Sequence, residues 1–179
     1  MGQYFQACLK GQRAKKNWRK YSPHALNCGA KLTEHSYKEC WYVMYIKHFL
    51  FKHKQYVVWA GDYADNEPGR EDNLFFLGKL MKFRADEMGC AIAEQPSMRY
   101  LVNHTKRLYL AYAKPTPNVG DYTLDPLPLF TAEGNGRGNG DYDGEHQERV
   151  GEWARDLISI EEEIPNGYTE VESPFFWDY

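Results

Sequence analysis

The stretch Ser36-Tyr-Lys-Glu-Cys-Trp-Tyr-Val-Met-Tyr-Ile-Lys-His-Phe-Leu-Phe-Lys-His-Lys-Gln-Tyr-Val-Val-Trp-Ala-Gly-Asp-Tyr63 passes from one hydrophobic period to another. Its opening, Ser36-Tyr-Lys-Glu39, has the form of a capping box. The serine hydroxyl serves the first free amides and the glutamate reaches back. Behind it Trp41, Tyr42, Tyr45, Ile46, Phe49 and Leu50 recur at the i, i+4 spacing of a buried helix face. The spacing predicts a helix from about Tyr37 to about Lys52. Tyr56-Val-Val-Trp-Ala60 then turns β-branched and aromatic, which predicts a central strand ending at Gly61-Asp62-Tyr63.

Outward from this pair, residues 2–9 alternate as a strand and residues 10–30 read as a charged loop. Asn73 is a start signal for a second helix with Leu74, Leu77, Met81 and Met88 on one face. Met98–Thr105 and Leu108–Ala113 read as a strand hairpin, and the Pro-rich piece 114–128 as a connection. Leu127–Thr131 leads into a glycine-rich run, Trp153–Glu161 leaves it, and Tyr168–Glu172 follows a Pro-Asn-Gly turn. The sum predicts one α+β domain over 1–179, with two packed helices on a largely antiparallel sheet. The glycine run should join two neighbouring strands. The aromatic tail, residues 173–179, either docks on the body or meets a partner.

Composition narrows the class. The chain has 179 residues, 42% of them hydrophobic, enough for one domain with a real core. Aromatics reach 16%, with 14 Tyr and 5 Trp, which suits either a core with polar handles or stacking surfaces for bases. No apolar run approaches the roughly 18 residues of a membrane span and no charged-then-apolar leader is present. Cys8, Cys28, Cys40 and Cys90 are scattered without a C-x-x-C pair, and read as reduced, mostly buried thiols. A cytoplasmic protein is expected.

Charge is distributed unevenly. Residues 1–120 hold 19 Lys/Arg and 10 Asp/Glu, whereas residues 121–179 hold 3 and 15. The basic cluster Lys10, Arg13, Lys15, Lys16, Arg19 and Lys20 encloses Trp18. Cations around an aromatic are what a weak nucleic-acid contact would use, phosphates for the charge and Trp18 for stacking. The alternative is a solvated loop, or one that docks on the acidic final third.

The run 133–144 interleaves Gly134, Gly136, Gly138, Gly140 and Gly144 with Asn135, Arg137, Asn139, Asp141 and Asp143. Bare glycine backbone can approach a phosphate closely, so Gly134, Asn135, Gly136, Arg137, Gly138 and Asn139 are candidate contacts for a nucleotide-like ligand. A long solvated hairpin loop is the plainer alternative. Gly-Asp-Tyr recurs at 61–63, 120–122 and 140–142, adding Asp62 and Tyr63, and Trp59 before them, to the ligand candidates. Asp62, Asp65, Asp141 and Asp143 would make a divalent-metal site if their loops met, although Asp and Gly are also ordinary turn residues. Asn139, Asp141, Asp143 and Gly144 follow the opening of a calcium loop, but Val150 stands where its bidentate glutamate belongs. Arg137, Arg149 and Arg155 are the only basic residues after 120.

Nucleophile and phosphate motifs are missing: no G-x-S-x-G, H-E-x-x-H or G-x-x-x-x-G-K-[ST] occurs. Glu34-His35-Ser36 reads as a loop or cap, and His104 and His146 are candidate acid–bases at loop edges. These features favour a binder that needs no cofactor over a small metal-dependent phosphate-ester hydrolase.

The blocks Gly2-Gln-Tyr-Phe5, Ala30-Lys-Leu-Thr-Glu-His-Ser36, Val58-Trp-Ala-Gly-Asp-Tyr-Ala-Asp65, Leu101-Val-Asn-His-Thr105, Leu127-Pro-Leu-Phe-Thr-Ala-Glu-Gly-Asn-Gly-Arg-Gly138 and Trp153-Ala-Arg-Asp156 give the chain a likeness to known sequences. It resembles a family of small accessory proteins of bacteriophages and prophages with no established activity; segment 10–20 lies outside the matching blocks. The resemblance implies a protein acting in a bacterial host's cytoplasm. It implies counter-defence, by sequestering a nucleotide immune signal or by inhibiting a host defence protein such as an RNA-guided nuclease.

Overall fold

The computed structural model describes residues 2–14, 17–112, 124–135 and 142–175. Among them nine strands join in one mixed, mostly antiparallel sheet, with five α-helices, as the α+β reading expects. Strand β1 (Phe5–Gly11) pairs antiparallel with β2 (Arg19–Tyr21) on one side and β3 (Gln55–Gly61) on the other. Beyond β3 follow β8 (Leu157–Glu161), β5 (Tyr100–Asn103) and β6 (Leu108–Ala111), all antiparallel. The short strands β4 (Lys79–Leu80) and β9 (Thr169–Glu170) close the two edges in parallel pairs with β2 and β6. Strand β7 (Ala132–Glu133) also pairs with β3, opposite Trp59 and Ala60, beyond the end of β8. In sequence the glycine run falls between β7 and β8, which, among the described residues, both pair with β3 but at different residues and not with each other.

Period-two alternation divides the two faces of the sheet. Phe5, Ala7, Leu9, Val57 and Trp59 enter the main core. Cys8, Val58 and Ala60 point the other way, under Leu74, Trp18 and Phe75. On the core face lies α2 (Trp41–Leu50), with Tyr42 through Lys47 and Leu50 all buried. It is nearly encircled because α4 (Ala85–Glu94) covers its outer side, where His48 Nδ1 meets Glu94 at 2.6 Å and the Tyr45 hydroxyl meets Glu87. Tyr21, Tyr45, Phe49 and Phe83 pack around it with ring centroids 4.5–6.2 Å apart. A second aromatic cluster stacks Phe130 on Trp153 at 4.4 Å, with Phe175 edge-on to Phe130 and Tyr142. The described part of the tail, through Phe175, thus docks on the body; residues 176–179 lie outside the described residues.

The structure corrects two helix boundaries. Ser36 does not cap α2. It closes α1 (Leu32–His35), where its hydroxyl donates to the Leu32 carbonyl, and α2 starts four residues later than expected, with Cys40 as its N-cap. A serine side chain can serve a carbonyl four residues back as well as forward amides, and here the backward bond wins. Asn73 does open a helix, its side chain accepting from the Phe75 amide. That helix, α3 (Leu74–Leu77), lasts one turn, because Gly78 turns extended and feeds β4. Leu127–Thr131 also falls within a helix, α5 (Pro126–Thr131), capped by Asp125.

Gly61 and Gly134 close around the buried side chain of Gln3. A Cβ at Gly61 would lie 2.5 Å from Gln3 Nε2 and 3.1 Å from the Glu133 carbonyl oxygen. Gly61→Ala is expected to destabilise the protein by about 1–3 kcal/mol in urea denaturation, with partial recovery in a Gly61→Ala, Gln3→Ala double variant. A loss below about 0.5 kcal/mol would mean that this junction has slack.

Candidate functional site

The outer face of the sheet is only partly covered, and there a groove of about 900 Å³ opens beside α3. Lys10 and Tyr56, a β1–β3 pair, form part of its floor. Trp18, Arg19 and Asn17 come from the segment that enters β2, Lys79 from β4, and Glu67, Pro68 and Arg70 from the loop after β3. Arg155 completes that side. Among the described lining residues Lys10, Arg70 and Arg155 bring cations to the same face as one carboxylate, Glu67, while Arg19 and its β4 partner Lys79 share the face of Leu9.

The aromatic surfaces are arranged around charge. Lys10 Nζ lies 4.8 Å from the Trp18 ring centroid and 4.9 Å from that of Tyr56, so one ammonium serves two rings. Arg19 donates to Gln55 Oε1 at 2.6 Å, which fixes its side chain. The basic cluster read in the sequence thus delivers Lys10 and Trp18 to the groove, while the Arg19 guanidinium, bonded to Gln55 beneath Phe49 of α2, lies on the core face and Lys20 turns aside to the Phe75 and Phe76 carbonyls. Lys15 and Lys16 lie outside the described residues.

Arg155 carries the most connected contact. Its Nε and Nη2 donate to the two oxygens of Glu133 at 2.6 Å each, and its Nη1 donates to Glu67 Oε2 at 3.1 Å, with Nη2 reaching Glu67 Oε1 as well. These hydrogen bonds hold the guanidinium well above its ordinary pKa. The clamp ties the loop after β3 to β7, so the root of the glycine run, Gly134-Asn135, adjoins one end of the groove. There the Asn135 amide donates to Gln3 Oε1 at 3.3 Å. The loops at 61–67 and 133–135 do meet.

The other candidates fall in different places. Trp59 is fully buried and donates its indole N–H to His35 Nε2 at 2.8 Å, so it offers no face to a ligand. Asp62 Oδ1 accepts from the Tyr4 amide at 3.0 Å, a use within the fold that takes it from a free metal ligand toward a loop fastener. Tyr63, 52% exposed, stands beside Asp62 away from the groove lining. Asp65 and Asp143 are exposed. Gly136, Arg137, Gly138, Asn139 and Asp141 lie outside the described residues. Among the described residues no group of three His, Cys, Asp or Glu side chains is placed to hold a metal ion.

Neither loop histidine is set up as an acid–base at a cleft. His104 is held between Tyr168 Oη at 2.9 Å and the buried Ser159 hydroxyl at 2.7 Å, and burial lowers its pKa to about 4. His146 is exposed beside Glu148. Arg149 pairs with Glu152 at 2.9 Å and lies over Phe130. Sequence reading missed Glu67 and Arg70, which reach the groove only through the loop after β3.

Among the described residues no helix is long and apolar enough to cross a membrane. No family model matches the chain, and no characterised protein or solved structure matches it.

Proposed function

We propose that the protein works by occupancy, holding an anionic, base-bearing ligand of the nucleotide class in the groove between β1–β3 and α3. The observation that carries this reading is the convergence of Lys10, Arg70 and the Arg155 clamp on a surface floored by Trp18 and Tyr56. Cations supply the phosphate contacts and the rings supply a stacking face. The groove's volume is at the large end of small-molecule sites, about 300–1,000 Å³, which suits two or more linked nucleotides better than one. The described root of the glycine run, Gly134-Asn135, stands beside the Arg155 clamp. In a phage accessory protein within a bacterial host, such a site would sequester a nucleotide immune signal. Phe76, Leu77 and Leu80, 44–60% exposed at the β4 edge, favour a second reading in which a host defence protein docks there.

Calorimetric titration with a 5′-phosphorylated dinucleotide tests the first reading. Lys10→Ala with Arg70→Ala should weaken binding at least about tenfold and flatten its salt dependence by about 0.7 per lost phosphate contact. Trp18→Ala should cost about 1–3 kcal/mol, the range for one stacked base. Wild-type affinity in all of these variants would remove the groove from the account.

A further inference from the structure

The fold brings together two cysteines that are twelve positions apart in sequence. Cys28 follows the 3-10 turn Pro23–Leu26, and its amide donates to the Pro23 carbonyl at 3.1 Å. Cys40 caps α2. Their sulfurs lie 3.4 Å apart, close enough to share a proton, in a chain whose cysteines are all free. Cys40 is fully buried and Cys28 half-buried, so Cys28 is the more accessible of the two. We propose that Cys28 and Cys40 form a redox-active dithiol that closes reversibly to a disulfide on reaction with a small-molecule disulfide. The site lies on the core face of the sheet and does not depend on the groove.

The surroundings differentiate the two sulfurs. The bond from Cys28, then the amides of Val43 and Tyr42 at the start of α2, draw the Cys40 thiol down to about 6, against the opposing effect of burial. Cys28, the donor in that bond, is pushed up. In the singly deprotonated pair, from which oxidation proceeds, Cys40 holds more of the charge and Cys28 keeps the proton. For oxidation, the shared proton passes to Cys40. The half-buried Cys28, now the thiolate, then attacks one sulfur of the small disulfide, whose S–S bond breaks to release a first thiolate. That thiolate takes the Cys40 proton. Cys40 attacks Cys28 Sγ, the internal bond forms, and a second thiolate leaves and is protonated by water. Two electrons have moved from the protein sulfurs to the small disulfide, now two thiols. In reverse, an external thiolate attacks the accessible Cys28 sulfur and expels Cys40, a good leaving group because helix amides hold its charge.

Closing needs the sulfurs to move from 3.4 Å to about 2.05 Å, within reach of side-chain rotation. The ring so formed contains α1 and His35, whose Nδ1 contacts the Gly29 carbonyl at 2.9 Å. Oxidation should therefore brace the loop that supports Trp59 from above.

The test equilibrates the full chain in glutathione buffers of graded ratio, followed by acid quench, alkylation and peptide mass spectrometry. The expected result is a Cys28–Cys40 linked peptide that appears at oxidising ratios and vanishes on return to reducing ones, with Cys8 and Cys90 still carrying no internal bond. The oxidised form should melt at a higher temperature than the reduced form, and Cys90→Ser should behave as wild type. Cys28→Ser should lose both the linkage and the thermal shift. If Cys28 and Cys40 remain alkylatable across buffers that convert exposed Cys90 to its glutathione adduct, or if the internal bond joins another pair, the proposal is wrong. The wild-type measurement decides this even should a variant fail to fold.

Discussion

Arg155→Met is expected to lower the free energy of unfolding by about 2–3 kcal/mol and to loosen the root of the glycine run. The guanidinium is hydrogen-bonded to both carboxylates of its clamp, and the side chains of Glu67 and Glu133 are only 18% and 28% exposed. Removing the cation leaves two half-desolvated carboxylates facing each other. Breaking a fully buried pair costs about 3–5 kcal/mol, and partial exposure of Arg155 places this case at the lower end or just below. Methionine retains the aliphatic stem, so the loss reports on charge and hydrogen bonding more than on packing. Adding Glu67→Gln and Glu133→Gln to Arg155→Met should restore most of the stability, because the stranded charges are then gone. Urea denaturation of the single and triple variants at neutral pH measures this. A single variant within about 0.5 kcal/mol of wild type would mean that the clamp does not hold the loops together.

The second large effect is loss of stability in mild acid. His35 is sealed in the core, with Nδ1 donating to the Gly29 carbonyl and Nε2 accepting from the Trp59 indole. Only the neutral ring fits this pattern, since a proton on Nε2 would oppose the indole N–H. Burial, the leading cause, lowers the folded pKa to about 4 from an ordinary 6.5. The unfolded chain therefore binds this proton first. Stability is fully present above pH 6.5, falls as the pH drops toward 4, and levels off below that. The total is on the order of 3 kcal/mol for this residue. His104 acts in the same direction over the same window, at smaller weight because it is half exposed. Urea midpoints at pH 7.5 and 4.5 should differ strongly for wild type. His35→Gln should be less stable at pH 7.5 and show a shallower decline between the two. Equal declines would place the acid sensitivity elsewhere.

Much of the frame was legible in the residues themselves. Tyr42, Tyr45, Ile46 and Leu50 marked a buried helix, and Val57, Val58 and Trp59 a central strand, because burial on those faces leaves a period in the sequence. Element ends were less legible. Ser36, Glu39 and Asn73 are residues that cap helices, and which of their alternative hydrogen bonds forms depends on packing partners far away in the chain. The groove was half legible: Lys10 and Trp18 announced themselves within a basic cluster, though Arg19 from the same cluster turns to the core face. Arg70 and Arg155 carry no periodic signal, since they converge only when Arg155 bridges two loops. Trp59 misled for the opposite reason, because its indole is equally suited to stacking on a base and to donating to a buried imidazole. The pairing of Cys28 with Cys40 was likewise invisible, their spacing matching no C-x-x-C pattern.

Backbone-amide NMR during titration with a 5′-phosphorylated dinucleotide tests the central claim most directly. The account predicts saturable shifts at Lys10, Trp18, Tyr56 and Arg70, smaller shifts at Gly134 and Asn135, and a dinucleotide recovered intact with magnesium present. Shifts confined to the far faces of the sheet, or a dinucleotide cleaved by catalytic amounts of protein, would contradict it.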